Sequence, residues 1–441
     1  MVTDRRAMRG RELDRVEAVF DDERLVANAG VVLCTTLADR LGLEALVDGC
    51  VDLGDRPGAF RPGRKVLSLV EAMLLGADSI DDANVLRAGE TARLVGHRVL
   101  APSTLGTFLR SFTFGHVRQL DRVLGEALGR AWAAGASPGA QRLVIDIDSF
   151  ICAVHGANKQ GAAYGYTREL GYHPLVATRA DTLETLHIRL RKGSANTQRG
   201  ATRFVNELAA RVRRAGAAGE ILVRADSGFW SKYTISALER HDLRYSIGVR
   251  LQPAVRAAID AISSDTWQPL VNYPASGVAE IAETTYGANQ TRLVVRRVRT
   301  LGSSAQGVLF DDWRHFAFIT DRREPLAIVE SEHRAHAVVE LAIRDHVEGP
   351  LRHLPSGRFF ANAAWTVISA LAANIARWTT ILGLRKDAPQ AAATLRRTLL
   401  VTPGRLVTSG RRTRLRLPAR WPWQTDFTTC LTNLRAIPRR C

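Results

Sequence analysis

The chain has 441 residues, 46% hydrophobic and 24% charged, enough for a sizeable core and inconsistent with a disordered or collagenous chain. Its 61 Lys and Arg against 44 Asp and Glu leave a net charge of +17, which points to a polyanionic partner, either nucleic acid or an anionic membrane surface. Five cysteines without a C-x-x-C pair, and a charged first stretch (residues 1–24) with no apolar centre, predict a reducing, cytoplasmic setting.

Residues 1–139 read as helical. Apolar residues recur at helical spacing in Val66, Leu67, Leu69, Val70, Met73 and Leu74, and again in Leu105, Phe108, Leu109 and Phe112. Pro102-Ser103-Thr104 is a start signal for the second set. The polar stretch Asp78–Asp82 lies between them, and Arg87, Arg93, Arg98, Arg110 and Arg118 surround them. That pattern suits a helix-turn-helix-like DNA reader and generic helical packing equally well. Ala133–Gly139 reads as a linker.

Beyond it the periodicity changes. Gln141–Phe150 (QRLVIDIDSF), Tyr172–Thr178 and Thr185–Arg191 are strand-like. Thr202–Arg214 is an amphipathic helix, Glu220–Ala225 a fourth strand ending at Asp226-Ser227-Gly228, Tyr233–Glu239 a short helix and Arg244–Arg250 a fifth strand. The order β-β-β-α-β-α-β, with an Asp on strand one and another after strand four, predicts an α/β ribonuclease-H-like core around a mixed five-stranded sheet. Strand patterns at Val278–Glu283, Thr291–Val298, Gly307–Phe310 and His315–Thr320 predict a separate β-rich insertion over 252–327.

Helix returns over 328–384. It includes an uncharged stretch, Phe359–Ala376, whose Asn362, Asn374, Thr366 and Ser369 favour a central helix of a soluble protein over a membrane span. Residues 385–441 hold thirteen basic residues against Asp387 and Asp426, so +11 of the +17 sits in this stretch. A GC-rich coding sequence would explain why Arg outnumbers Lys, but not this concentration. Leu406-Val407 and Arg414–Leu417 predict a short β pair there.

Asp146 and Asp148, two apart on one strand, project from the same face. Two acids leaving an apolar strand are costly unless solvated, paired or metal-bound. Asp226 stands at a strand's carboxyl end, where open α/β sheets place ligands. On a continuous helix from His333 to Arg344, Ala335, Val338, Val339, Ala342 and Ile343 share one face. His333, His336, Glu340 and Arg344 share the other. Asp148, Asp226 and Glu340 together form a hard oxygen donor set suited to Mg²⁺ or Mn²⁺. Taken singly, each acid is an ordinary turn, cap or solvated residue; the ordered set is what points to chemistry. His333, His336 and Glu340 offer a zinc alternative, but no general-base Glu follows the first His. Trp267, Tyr273, Tyr286 and Trp313 read mostly as core of the insertion, with Trp267, set among polar residues, the candidate for stacking on a frayed DNA base.

The ordered motifs resemble the DDE transposases of bacterial insertion sequences, in the branch with a β-strand insertion before the catalytic Glu, and within it the insertion sequence 1380 family. The matching stretches are IDIDSF (145–150), GYTRELGYHPL (165–175), LRKGSANTQRGATRFV (190–205), RADSGF (224–229), HRAHAVVELAIRDHVEG (333–349), FFANAAWTVISALAANI (359–375) and GRLVTSGRRTRLRL (404–417). The resemblance implies a cut-and-paste transposase with Asp148, Asp226 and Glu340 as catalytic metal ligands for two Mg²⁺ ions, and Asp146 as a rival or helper to Asp148. Phe150 stands where the family has Thr. His333, His336 and Val347 stand where related enzymes carry Tyr, Arg and Lys around the Glu, so His336, Arg344 and His333 would contact DNA phosphates. It further implies that the helical residues 1–139 and the basic 385–441, with Arg411, Arg412, Arg414 and Arg416, hold double-stranded inverted-repeat ends and target DNA within a homodimeric synaptic complex. The expected setting is the bacterial cytoplasm, at the nucleoid, without a membrane partner.

Overall fold

The computed structural model describes residues 13–156, 158–165, 168–270, 273, 277–300, 313–386 and 391–440. The N-terminal part contains strand β1 (Leu25–Val26) and helices α1 (Val31–Arg40), α2 (Leu43–Cys50), α3 (Pro62–Leu74), α4 (Pro102–Arg110) and α5 (Phe114–Ala131). Pro102 opens α4, where its missing N–H costs nothing, and Thr113 and His116 cap α5 reciprocally. No short turn joins the two predicted apolar sets. Between α3 and α4 lie a 3-10 helix (Asp81–Arg87) and a single helical turn (Thr91–Leu94), with Asp82 accepting from the Asp78 and Ser79 amides.

The predicted linker at 133–139 is not a hinge. A π-helical turn (Trp132–Ala136) continues α5, and the buried Trp132 donates to Glu184 across a 3.0 Å hydrogen bond. A buried indole with a satisfied N–H anchors the segment, and one apolar core runs from the N-terminal helices into the sheet.

Among the described residues that sheet has nine strands. Its central five are β2 (Leu143–Ser149), β3 (Leu175–Arg179), β4 (Thr185–Arg189), β5 (Ile221–Ala225) and β6 (Arg244–Gly248). The spatial order is β4-β3-β2-β5-β6, with β2 antiparallel to β3 and parallel to β5. Helices α6 (Ala201–Ala215) and α7 (Lys232–Arg240) supply the crossovers, and α8 (Pro253–Asp260) follows β6. The core strands read as apolar runs because both faces are covered.

The insertion was expected to be a separate unit, and the structure corrects this. Strands β7 (Gln268–Pro269), β8 (Gly277–Tyr286), β9 (Thr291–Thr300) and β10 (Arg314–Thr320) extend the same sheet. β6 would otherwise leave an open edge, and β10 closes on it antiparallel through Ser246–Thr320, Ile247–Ile319 and Gly248–Phe318. The strand predicted at 307–310 lies outside the described residues.

After β10 come α9 (Leu326–Arg334), α10 (Val339–Val347) and α11 (Phe359–Trp378). By length and composition the Phe359–Leu384 helix could cross a membrane, but 83% of its apolar window is buried inside the fold. The basic C-terminal residues are folded too. Strands β11 (Gly404–Ser409) and β12 (Arg412–Arg416) form the predicted hairpin, β11 pairs with β1, and α12 (Gln424–Ala436) packs against α1.

Candidate active site

Parallel pairing of β2 with β5 sets Asp146 opposite Arg224 and Ile147 opposite Ala225, so Asp148 and Asp226 follow one residue on, at the carboxyl ends of adjacent strands. The two rungs carry opposite charge arrangements. On the inner rung Asp146 is fully buried and bound to Arg224 by two hydrogen bonds of 2.7 Å, from Nε to Oδ1 and from Nη2 to Oδ2. His336 Nδ1 adds a third contact, 2.7 Å from Asp146 Oδ1. Asp146 therefore has its oxygens occupied by cationic or N–H partners, which corrects its expected availability as a metal ligand.

On the outer rung the acids have no cationic partner of that kind. Asp148 Oδ1 accepts from the Ser149 amide at 2.6 Å, and Asp226 Oδ1 from the Gly228 amide at 3.0 Å. Gly228 leaves room for Thr197, whose Cγ2 would lie 2.9 Å from an added Cβ. Among the described residues no Lys or Arg pairs with Asp148, Asp226 or the exposed Glu340 in the first turn of α10. Burial, with the negative charges of Asp226 and Glu340, pushes the Asp148 carboxyl up to about 6, against the Ser149 amide and His336, which lower it. Burial and like charge both disfavour the ionised form there, as at a site short of positive charge. Oxygen donors in that deficit fit a divalent cation.

The loop beyond β4 forms one wall. Arg191, buried, donates to the carbonyls of His173, Asn196, Thr197 and Arg199 at 2.8–3.1 Å, and burial lowers its guanidinium to about 10. His173 Nδ1 lies 2.6 Å from the Ala195 carbonyl, so it carries the hydrogen. Nε2 is then the acceptor for Ser149 Oγ, at 3.0 Å. Burial holds the His173 imidazole below its ordinary value, consistent with that neutral tautomer. The sequence reading missed Arg224, His173 and Arg191. A signal for Arg224 was present, since it precedes Asp226 by two residues as Asp146 precedes Asp148.

The helix expected across 333–344 is broken. A 3-10 turn (Ala335–Val338) separates α9 from α10, and His333 and His336 go to different partners. His333 is corrected from a DNA contact to a packed side chain: its ring stacks on Phe318 at 3.9 Å and Nδ1 lies 2.8 Å from Ser246 Oγ. Burial, helped by His336 and nearby arginines, lowers it to about 3. With His333 on Ser246 and His336 on Asp146, the two histidines do not converge on a zinc site. Arg344 is exposed. The Trp267 ring carries the Arg297 guanidinium at 4.1 Å, with Trp313 at 4.5 Å from the same group. Arg411, Arg412, Arg414 and Arg416 are all exposed on the C-terminal hairpin.

Among the described residues, one trio of possible ligands closes to within 4.8 Å: Asp121, His187 and Glu207. Asp148, Asp226 and Glu340 do not all close to that spacing. The tighter trio is crossed by arginines, with Arg211 2.6 Å from Asp121 Oδ1 and Arg118 3.0 Å from both Asp121 Oδ2 and Glu207 Oε2. Burial alone would raise both carboxyls. His187 with Arg211 on one, and His187 with Arg189 and Arg203 on the other, instead hold them well below the usual range.

The profile of the family described as "Transposase DDE domain group 1" matches residues 9–439, nearly the whole chain. The protein belongs to this family of DDE transposases. It is accordingly a DNA transposase, and enzymes of this family use divalent metal ions. No curated protein matches the chain. Among solved structures it is similar to the piggyBac transposase in the cryo-EM structure of its synaptic complex with hairpin DNA. The TM-score is 0.45 at 13% identity, over 86% of this chain and 80% of that one.

Proposed function

We propose that this transposase works by cut and paste, cleaving DNA at transposon ends and joining the ends to target DNA, with Asp148, Asp226 and Glu340 as its catalytic carboxylates. The observation that carries the reading is the outer rung: two acids on adjacent parallel strands and a helical Glu nearby, all without an arginine or lysine partner among the described residues, in a chain of charge +17. The central strand order β4-β3-β2-β5-β6 supports a ribonuclease-H-like core, and the motif order supports membership of the insertion sequence 1380 family, in a bacterial, nucleoid-associated setting.

Asp148, Asp226 and Glu340 would hold two Mg²⁺ ions, or Mn²⁺, which activate a water or 3′-hydroxyl and stabilise the leaving oxygen of the phosphodiester. The chain's own groups orient that set. The Ser149 and Gly228 amides each fix one oxygen of an aspartate, and the Arg191-pinned loop closes one side. His336, held beside Asp146, and the exposed Arg344 would face the phosphate.

DNA backbone would also lie along the C-terminal hairpin. Arg412, Arg414 and Arg416 alternate along β12 and share a face, with Arg405 directly across from Arg416. Leu406 and Leu415 point the other way, into a small core with Val26 and Ala29. A basic face backed by an apolar one offers fixed cations to phosphates. Two transposon ends imply two such faces, supporting a homodimer in the synaptic complex, with DNA rather than membrane as the partner.

Mg²⁺-dependent nicking of a labelled end substrate tests the reading. Wild type is expected to nick and to yield strand-transfer products, and Asp226→Ala to do neither. Equal activity in both would overturn the site assignment, and nicking without joining would indicate a structure-selective nuclease. End binding without any metal-dependent chemistry would indicate a non-catalytic DNA-binding descendant.

A further inference from the structure

Asp146 is the one acid of the IDIDS strand that the proposed chemistry leaves without a task, yet it is the most enclosed. Its contacts converge on one segment. Arg224, which it holds through both oxygens, uses its remaining amino group to bind the Glu332 carbonyl near the end of α9. His336, four residues further on, binds Asp146 directly. The end of α9 and the turn that follows it are thus fastened to one buried ion pair.

The break needs such fastening, because the 3-10 turn Ala335–Val338 buries none of its own residues. Apolar packing does not fix its position, and polar links to Asp146 and Arg224 do. The turn leads within two residues to Glu340. An ionised carboxylate only accepts hydrogen bonds, so the His336 Nδ1 facing it carries the hydrogen. Nε2 is left free of that contact on a ring whose side chain is 16% exposed. Carboxylate–imidazole pairs of this kind orient rings elsewhere at metal sites.

We propose that Asp146 is a positioning residue: with Arg224 it fixes the turn that delivers Glu340 to Asp148 and Asp226, and it holds the His336 ring beside that site. The role rests on the catalytic reading above. It also separates two acids that are adjacent on one strand face, Asp148 facing the reaction and Asp146 organising the helix that completes the site.

The test is a double-mutant cycle on single-turnover nicking of an end substrate, using the full chain, Asp146→Asn, His336→Ala and the double variant. Asp226→Asn serves as the control for the catalytic reading. Asp146→Asn is expected to slow nicking about 10–100-fold while end-DNA affinity stays within about twofold. The double variant is expected to be no slower than the slower single variant, because both act through one contact. Independent, multiplying losses would overturn the proposal, as would an Asp146→Asn rate equal to wild type. So would a loss that appears only in DNA affinity. If Asp146→Asn does not fold, Asp146→Asn/Arg224→Met removes both buried charges. It is expected to fold and remain slow, and a wild-type rate in it would overturn the proposal. Nicking lost in Asp226→Asn but untouched in the Asp146 variants defeats this role alone, whereas nicking retained in Asp226→Asn defeats the catalytic reading itself.

Discussion

Two clusters of acids in this protein have opposite electrostatics. Asp121 and Glu207 lie with His187 between α5, α6 and β4, tightly grouped and threaded by Arg118, Arg189, Arg203 and Arg211. Asp148, Asp226 and Glu340 are more widely spaced and have no arginine or lysine partner among the described residues. Burial acts on both groups, but the arginines win in the first and leave its carboxyls ionised far into acid, whereas mutual repulsion adds to burial in the second and holds Asp148 at about 6. Proximity of carboxylates is therefore a poor guide to a cation site. The local balance of charge is a better one, since an ion entering the first cluster would have to displace guanidinium groups already paired.

The largest test of this contrast pairs one substitution from each cluster. Glu340→Gln is expected to reduce nicking on the order of 10³-fold or more and to abolish the rise in melting temperature produced by Mn²⁺. Glu207→Gln is expected to keep both responses, and loss of the Mn²⁺ response there would move the metal site to the arginine-rich cluster. Next in size, Asp121→Ala leaves Arg211 buried without its carboxylate and should cost about 3–5 kcal/mol in urea unfolding, with per-molecule nicking preserved below the transition. A loss below about 1 kcal/mol would mean that the arginines find other partners.

The smallest effect is in pH. A carboxyl raised in the folded state stabilises the protein below its unfolded value near 3.9, and that contribution is lost as pH rises through the folded value. Metal-free wild type should therefore lose on the order of 2 kcal/mol between about pH 4 and 6 relative to Asp148→Asn. Asp121 and Glu207 contribute with the opposite sign, losing stability as pH falls. Parallel stability curves for wild type and Asp148→Asn would remove the like-charge crowding from the outer rung.

Much of the central sheet was legible because its signals are local. Alternating β-branched runs and strand-end Asp residues set the order of β2 to β6, and the two-residue period put Asp146 and Asp148 on one face. What separates those two acids is not local. Arg224 stands 78 residues from Asp146 in sequence and meets it only through the parallel register of β2 and β5. The break at Ala335–Val338 was likewise hidden, because its residues follow a helical pattern and tertiary polar links override it. The supposed linker failed for a related reason: Ala and Gly at 133–136 read as flexible, while Trp132 anchors the stretch from inside the core. The C-terminal hairpin was visible in outline, but its pairing with Leu25–Val26 depends on residues nearly four hundred positions away.

The seam where β10 closes on β6 limits how this enzyme can be re-engineered. An insertion that forms its own domain can be exchanged between relatives like a cartridge. Here Ser246–Gly248 and Phe318–Thr320 are neighbouring rungs of one ladder, and the chain leaves that ladder only a few residues before the helix that leads to Glu340. Trimming or swapping residues 277–320 would strip a sheet edge and shift the starting point of the Glu-bearing segment together. A graft that keeps those three rungs in register should preserve the position of Glu340, and a slip of one residue should invert every side chain along the join.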